Sequence, residues 1–303
     1  MKRKVIQIAD STQLVSLPRK WAIQYGVKKG DELDIEINGN KLIVQNTSKQ
    51  VIERFEVDLE QFGKREIRWL LAALYRKGYE EIIIRFNSQE QYKSVQEIVD
   101  TLFTGFAIIE QKSNSCTLRP LSVEQGSEFD SSFRRMFLVI LSLAEGMEEY
   151  HRGGQRDFDK LLHFEATNDK LANFCERIIT TGKYHDYRLA FFIYVITWHL
   201  EKICNDYKYL CGYFSAQPQR KISTTTVQLL EQTNALLRQY YGWFYEFSLR
   251  ELTEFDKRSA VLMGKIIQNM ETAKGADVVM LSYLHAINQK IVNLFPTTCS
   301  FYL

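Results

Sequence analysis

The first 46 residues contain four short strand-like runs and one short helix, which is too little chain to enclose a core. A strand over residues 5–8 and a second strand ending near Pro18 precede the helix, which stops at Gly26. Asn38-Gly39-Asn40 then gives a strong hairpin signal between two alternating apolar runs. A unit of this size buries too little surface to be stable alone, so we expect it to dimerise.

Charge is distributed unevenly along this unit, although the whole chain has a net charge of only +2. Residues 1–30 carry seven cations and one acid, Asp10, a balance of +6, and the next sixteen residues carry four acids and one cation. The seven cations are Lys2, Arg3, Lys4, Arg19, Lys20, Lys28 and Lys29. Concentrated positive charge is typical of proteins that bind polyanions, and it also occurs on small domains for solubility alone.

Two motifs carry a family resemblance. The sequence STQLVSLPRKW at residues 11–21 is followed by GVKKGDEL at residues 26–33. This combination resembles the AbrB/MazE/SpoVT swapped-hairpin DNA-binding domain over residues 3 to about 45, which we assign to a domain spanning residues 1–46. The resemblance implies that two protomers interleave their hairpins into one small β-barrel, and that the unit is half of a fold.

The same resemblance indicates which side chains face DNA. It implies that basic residues on the N-terminal strands and near the proline turn contact the duplex, with a few polar groups beside them. The matching residues are Arg3, Lys4, Gln7, Ser11, Thr12, Arg19 and Lys20. Since arginine and lysine mainly bind phosphates, we expect salt-sensitive affinity and can tie no residue to a particular base. A purely dimerising barrel with a basic rim is the alternative.

Residues 51–121 predict a small α+β connector domain with βαβαββ order. Helices are predicted over residues 64–77 and about 88–102, because apolar side chains recur there on one side, and Glu81–Arg85 is a strand. The segment contains no glycine-rich phosphate loop. We expect it to connect the flanking domains or to form a second dimer contact, with a small-ligand site as the lesser alternative.

From Phe129 onward the pattern changes to nearly continuous helix. Apolar residues recur at helical spacing up to a break at Gly153-Gly154, and Pro218 separates two sets of three helices. The third helix is predicted to be rich in aromatic residues on its buried side. The helices after the first are predicted at about 156–181, 186–214, 224–248, 252–270 and 276–295. Two successive sets of three indicate a duplicated bundle.

The third and sixth helices support this duplication. Aligning the runs that begin at His199 and Tyr283 pairs apolar positions, namely Leu200 with Leu284, Ile203 with Ile287, and Leu210 with Leu294. Both runs look like degenerate copies of the LERIxDHxxNI signature of PhoU, a phosphate-uptake regulator built from two three-helix bundles. We therefore assign residues 129–296 to a PhoU-like helical domain, and the whole arrangement resembles an archaeal phosphate-uptake regulator.

PhoU proteins bind metal ions through ExxxD pairs on adjacent helices, since carboxylates four residues apart share a helix face. The second helix keeps the pair as Glu165 and Asp169, whereas the third keeps only its first acid, Glu201. The resemblance therefore implies a weakened site for a divalent or iron ion at these three residues. The alternative is a solvated acidic face in which Glu165 and Asp169 pair with Lys170 or Lys202.

Several function classes are disfavoured. The sequence has no P-loop, nucleophile elbow, zincin motif or inward-facing ExxH pattern of a di-iron bundle, so we expect no enzymatic activity. No run approaches the roughly 20 apolar residues that span a bilayer. The five cysteines form no CxxC pair and indicate reduced thiols. We expect a cytoplasmic protein without membrane insertion.

Three functions remain. The preferred one is a homodimeric, DNA-binding transcriptional regulator of phosphate uptake, whose helical domain senses a signal or contacts phosphate transporter components. The second is a PhoU-like adaptor that controls a phosphate transporter by protein contact and uses the barrel only to dimerise. The third is an antitoxin-like module fused to a partner-binding helical domain.

Overall fold

The computed structural model describes residues 1–8, 12–46, 53–121, 126–154 and 158–303. The chain divides into two compact units, Met1–Glu53 and Arg54–Leu303. The second unit contains both the connector and the helical segment that the sequence predicts as separate domains, and the finer division into three domains stays a prediction.

The N-terminal unit consists of two antiparallel hairpins and a short helix. Its elements are β1 (Val5–Ile8), β2 (Thr12–Val15), α1 (Arg19–Gln24), β3 (Asp34–Asn38) and β4 (Lys41–Gln45). Gly26 and Gly39 adopt positive φ angles of 61° and 58°, which glycine tolerates at a helix end and in a tight hairpin. Within one chain β1 pairs with β2 and β3 with β4, so the hairpins form two separate two-stranded sheets.

The second unit begins with a four-stranded sheet and two helices in the predicted βαβαββ order. Its elements are β5 (Arg54–Asp58), α2 (Lys64–Lys77), β6 (Glu81–Arg85), α3 (Gln89–Leu102), β7 (Phe106–Gln111) and β8 (Ser115–Pro120). The spatial strand order is β5-β6-β8-β7, in which only β5 and β6 are parallel. Ser88 caps α3 by accepting a 3.2 Å hydrogen bond from the Gln91 amide, and Gly78 ends α2 at a φ of 98°.

Six helices follow a short 3₁₀ turn at Gly126–Glu128. They are α4 (Phe129–His151), α5 (Phe158–Thr180), α6 (Ala190–Ala216), α7 (Thr224–Tyr245), α8 (Leu249–Met270) and α9 (Ala276–Tyr302). Helices α4, α5 and α6 pack together, as do α7, α8 and α9, and the two sets join through α6 on α9 and α4 on α7. In the described part of the chain, no helix is both long and apolar enough to cross a membrane.

Positions that the sequence aligns in α6 and α9 lie in equivalent surroundings. Leu200, Leu284, Ile203, Ile287, Leu210 and Leu294 are all completely buried. In this alignment each residue of α6 corresponds to the residue 84 positions later in α9. Asp206 therefore corresponds to Lys290, and the two form a 2.6 Å ion pair with each other. This ion pair therefore joins positions that correspond in the alignment of α6 with α9.

A buried arginine ties the helices to the α/β layer. Arg177 on α5 is only 1% exposed, and its Nη1 donates to the carbonyl oxygens of Tyr75 and Tyr79 at 2.6 and 3.1 Å. Its guanidinium also lies 4.9 Å from the Tyr75 ring centroid and 4.7 Å from that of Phe106. These carbonyls belong to the end of α2 and the turn after it, where backbone carbonyls lack an N–H donor within the helix. The Arg177 guanidinium supplies the missing donors.

Two sequence predictions about the long helices are wrong in detail. Several aromatic residues of α6 face outward, including Phe191 at 72% exposure and Tyr209 at 55%, because a helix this aromatic has more large side chains than its buried stripe accommodates. Helix α9 continues through Pro296 to Tyr302 rather than ending at Phe295. The added turns are held by tertiary contacts, among them a 2.7 Å hydrogen bond between the Tyr240 and Thr298 hydroxyls, and these contacts offset the backbone bond that proline removes.

Candidate nucleic-acid interface

Four of the predicted DNA-binding residues are solvent-exposed cations of the N-terminal unit. Arg3 and Lys4 lie in the extended segment before β1, and Arg19 and Lys20 form the start of α1. Pro18 precedes this helix with a φ of −62° and so fixes where its first turn begins. Within the described residues none of the four cations forms an ion pair, and their charge remains available to an external anion.

The polar candidates lie on the first hairpin. Gln7 in β1 is directly opposite Gln13 in β2, and Thr12 is opposite Ile8. Ser11 lies outside the described residues. The sequence analysis did not select Gln13, because the register that pairs it with Gln7 depends on the length of the intervening turn. Opposed glutamines present four amide donors and acceptors side by side, which suits contacts to phosphates or base edges.

The second hairpin has an exposed apolar face. Ile35 is opposite Val44 and Ile37 is opposite Leu42, so these four side chains lie on the same side of the hairpin. Ile35, Ile37 and Leu42 are 63%, 77% and 66% exposed. An isolated two-stranded hairpin is marginally stable in water, and an apolar face of this kind favours burial against another surface.

The first hairpin is also incompletely covered. Ile6 and Leu14 are opposite each other and are 58% and 45% exposed, and Val5 and Val15 form a further exposed pair in the same register. Among the side chains that the structure describes in residues 1–46, none is buried. The unit therefore has the strands and turns of a domain without the core that would stabilise it.

Comparison with protein families identifies this unit. Residues 6–50 match the family described as "Antidote-toxin recognition MazE, bacterial antitoxin". The N-terminal unit is a MazE-like domain. Comparisons of the chain with curated proteins and with solved structures give no match. The MazE-like domain is compatible with a DNA-binding regulator, and the match does not extend to the helices of the second unit.

The three predicted metal ligands lie on neighbouring helices, and each has a cationic partner. Asp169 on α5 pairs with Arg68 of α2 at 2.7 Å, and Glu165, one turn earlier, pairs with Lys208 of α6. The third acid, Glu201, is 2.6 Å from Lys202 and accepts a 2.7 Å hydrogen bond from Asn205. The alternative prediction named the wrong cations for the α5 acids, since Lys170 instead donates to the Asp100 carbonyl oxygen at 3.0 Å.

A fourth acid extends this ionic network along α5. Glu176 is 2% exposed and lies 3.3 Å from Arg76 of α2. Burial raises the pKa of Glu176 to about 7, an effect that Arg76 opposes. The pKa of Glu165 is also raised, first by burial and then by the neighbouring Asp169, while Lys208 and Arg68 act in the opposite direction. For both acids the effect of burial on the pKa therefore outweighs the opposing effect of the neighbouring cations.

This arrangement does not fit a metal ion. A divalent cation needs carboxylate oxygens that converge on one point, whereas these acids are already engaged by arginine and lysine side chains. Within the described residues no group of three or more histidine, cysteine, aspartate or glutamate side chains is placed to hold a metal. The metal site at Glu165, Asp169 and Glu201 stays a prediction, and we derive no metal chemistry from it.

Proposed function

We propose that the protein is a homodimeric, DNA-binding transcriptional regulator whose MazE-like domain contacts the duplex. The observation that carries the proposal is the coincidence, in one small domain, of exposed cations and exposed apolar hairpin faces. The cations provide the electrostatic attraction to phosphates, and the apolar faces provide the reason to dimerise. The MazE match over residues 6–50 supports the same reading.

In the proposed dimer the two chains interleave their hairpins into one AbrB-like swapped-hairpin barrel. The apolar face formed by Ile35, Ile37, Leu42 and Val44 then becomes part of a shared core. A two-fold axis doubles every cation, so Arg3, Lys4, Arg19 and Lys20 contribute eight positive charges. This number suits a duplex, whose phosphates run past such a surface on both strands.

We extend the proposal to phosphate uptake on the strength of the helical domain. Two sets of three helices, joined through α6 and α9 with aligned buried positions, resemble the duplicated PhoU arrangement. In this proposal the helical domain receives the signal of phosphate status through phosphate transporter components, and the protein is a regulator rather than an enzyme.

DNA binding by the full chain tests the proposal. The variant R3A/K4A/R19A/K20A should bind a duplex from its own upstream region much more weakly than the wild type. Each phosphate contact contributes about −0.9 to the slope of log K against log salt concentration. Loss of all eight contacts should therefore make the slope less negative by about 7. Fluorescence anisotropy over a salt series measures both quantities, and sedimentation should show an intact dimer.

The matched control is K93A/R220A/K221A/K274A, which removes four exposed cations from the second unit. It should leave affinity and salt slope unchanged. Equal affinities for the wild type and the N-terminal variant would refute DNA binding through this surface and favour the adaptor function. Chromatin enrichment at phosphate-transport genes that does not change between phosphate-rich and phosphate-starved cells would refute only the phosphate part.

A further inference from the structure

Helix α8 is buried on one narrow stripe. Its buried residues are Phe255, Ser259, Leu262 and Ile266, and the helix packs mainly against α7 and α9. Among the side chains outside this stripe, Val261 is 59% exposed and Ile267 is 47% exposed. By contrast, α5, the middle helix of the first set, also packs against α2 and α3 of the α/β layer. The middle helix of the second set thus lacks the cover that its counterpart has.

A groove runs along the exposed side of α8, beside α7. It has a volume of about 870 Å³, and Ala235, Leu236, Val261 and Leu262 provide its apolar surface. Its α8 lining extends from Glu254 to Lys265, which corresponds to three helical turns or about 17 Å. This length suits a short helix that inserts two or three apolar side chains spaced by three or four residues.

The rim of the groove is basic. Arg238, Lys257, Arg258 and Lys265 line it, against the single acid Glu254, which gives four cations minus one anion, or +3. Arg258 pairs with Glu254, and Arg238 pairs with Glu145 on α4. Within the described residues neither Lys257 nor Lys265 forms an ion pair. Uncompensated cations beside an apolar floor favour an acidic, amphipathic occupant.

The chain itself contains an example of the charge complementarity between helices, with the signs reversed. The acidic side of α5 is covered by α2, whose Arg68 and Arg76 reach Asp169 and Glu176. Helix α2 buries its apolar stripe in the core of the α/β layer and directs these two cations toward α5. Since α8 is the corresponding middle helix and has a basic margin, an acidic helix would complete it in the same manner.

We propose that the groove between α7 and α8 binds an acidic amphipathic helix of a partner protein. A second copy of this chain is a poor occupant, because two such grooves facing each other would bring like charges together. A DNA duplex would use the cations but would leave the apolar floor exposed. An acidic helix uses both features, with apolar side chains against Val261 and carboxylates beside Lys257 and Lys265.

Two labelled model peptides test the proposal on the full-length protein. Both are 18-residue amphipathic helices with leucine at i, i+3, i+4 and i+7, and one carries glutamate and the other lysine on the flanking positions. Fluorescence anisotropy should show at least tenfold tighter binding of the glutamate peptide. Val261→Asp should weaken that binding at least tenfold, and K257E/K265E should reverse the preference so that the lysine peptide binds better.

The control variant R220E/K221E changes exposed cations outside the groove lining and should bind the glutamate peptide as the wild type does. Circular dichroism should show unchanged helix content in every variant. Equal binding of the two peptides, or a glutamate preference that survives both groove substitutions, would overturn the proposal. So would loss of duplex DNA binding, or a changed oligomeric state, in the Val261→Asp variant without loss of peptide binding.

Discussion

Replacing Ile37 by alanine should weaken the dimer while leaving the second unit folded. The substitution removes three carbon atoms from a side chain that is 77% exposed in one chain and lies on the apolar hairpin face. At about 0.8 kcal/mol per buried carbon, the three carbons are worth about 2.4 kcal/mol when fully buried. Only the 77% of the side chain that is exposed in one chain becomes buried on dimerisation, so the loss is about 1.8 kcal/mol per chain and about 3.6 kcal/mol per dimer. Since about 1.4 kcal/mol is a factor of ten, the dimer dissociation constant should rise about 400-fold.

Sedimentation equilibrium over a wide concentration range measures this constant directly. Leu138→Ala is the matched control, because Leu138 is an aliphatic residue of α4, outside the connector, that is 46% exposed and should not contribute to the dimer. Duplex affinity at low protein concentration should fall with dimer affinity. A dissociation constant for Ile37→Ala within threefold of the wild type would show that this face is not part of the dimer core.

Three further predictions concern the second unit. Arg177→Met should lower the free energy of unfolding, measured in urea, by about 3 kcal/mol, because two charge-assisted hydrogen bonds to buried carbonyls are lost. Glu176 binds a proton more tightly when folded, so its contribution to stability falls as pH rises from its ordinary pKa of 4.5 to about 7. The free energy of unfolding of Glu176→Gln should therefore rise relative to that of the wild type across that range. An equal difference between the two proteins in urea at pH 5 and at pH 8 would refute this. Asp206→Lys should destabilise the protein because it places two cations in contact, and adding Lys290→Asp should recover most of the loss because it restores an ion pair of opposite charges; a double-mutant cycle without coupling would contradict this.

Local signals predicted much of the fold. The bounds of α2 and β6 coincide with those predicted, since a regular apolar pattern and a following glycine fix where such a helix ends. The hairpin at Asn38-Gly39-Asn40 follows from a turn sequence that allows few alternatives. The grouping of six helices into two sets was also predictable, because Pro218 lies between the third and fourth helices and the apolar patterns of the third and sixth helices align.

The candidate sites were less predictable, because they depend on contacts between residues far apart in sequence. The cation beside Asp169 comes from Arg68, 101 residues away, and the cation beside Glu165 comes from Lys208, 43 residues away. Nothing local to α5 identifies either partner. The same is true of the groove on α8, whose cations look like an ordinary solvated face until the position of α7 places apolar side chains between them.

The ion pair between Asp206 and Lys290 also bears on how two sets of three helices with similar apolar patterns avoid mispairing. Were the same residue present at both positions, two acids or two lysines would meet where α6 crosses α9. Opposite residues instead make the first half attract the second and repel a copy of itself. This single difference favours packing of the first helix set on the second over packing of two first sets or two second sets. It acts in the same way whether the two sets belong to one chain or to two.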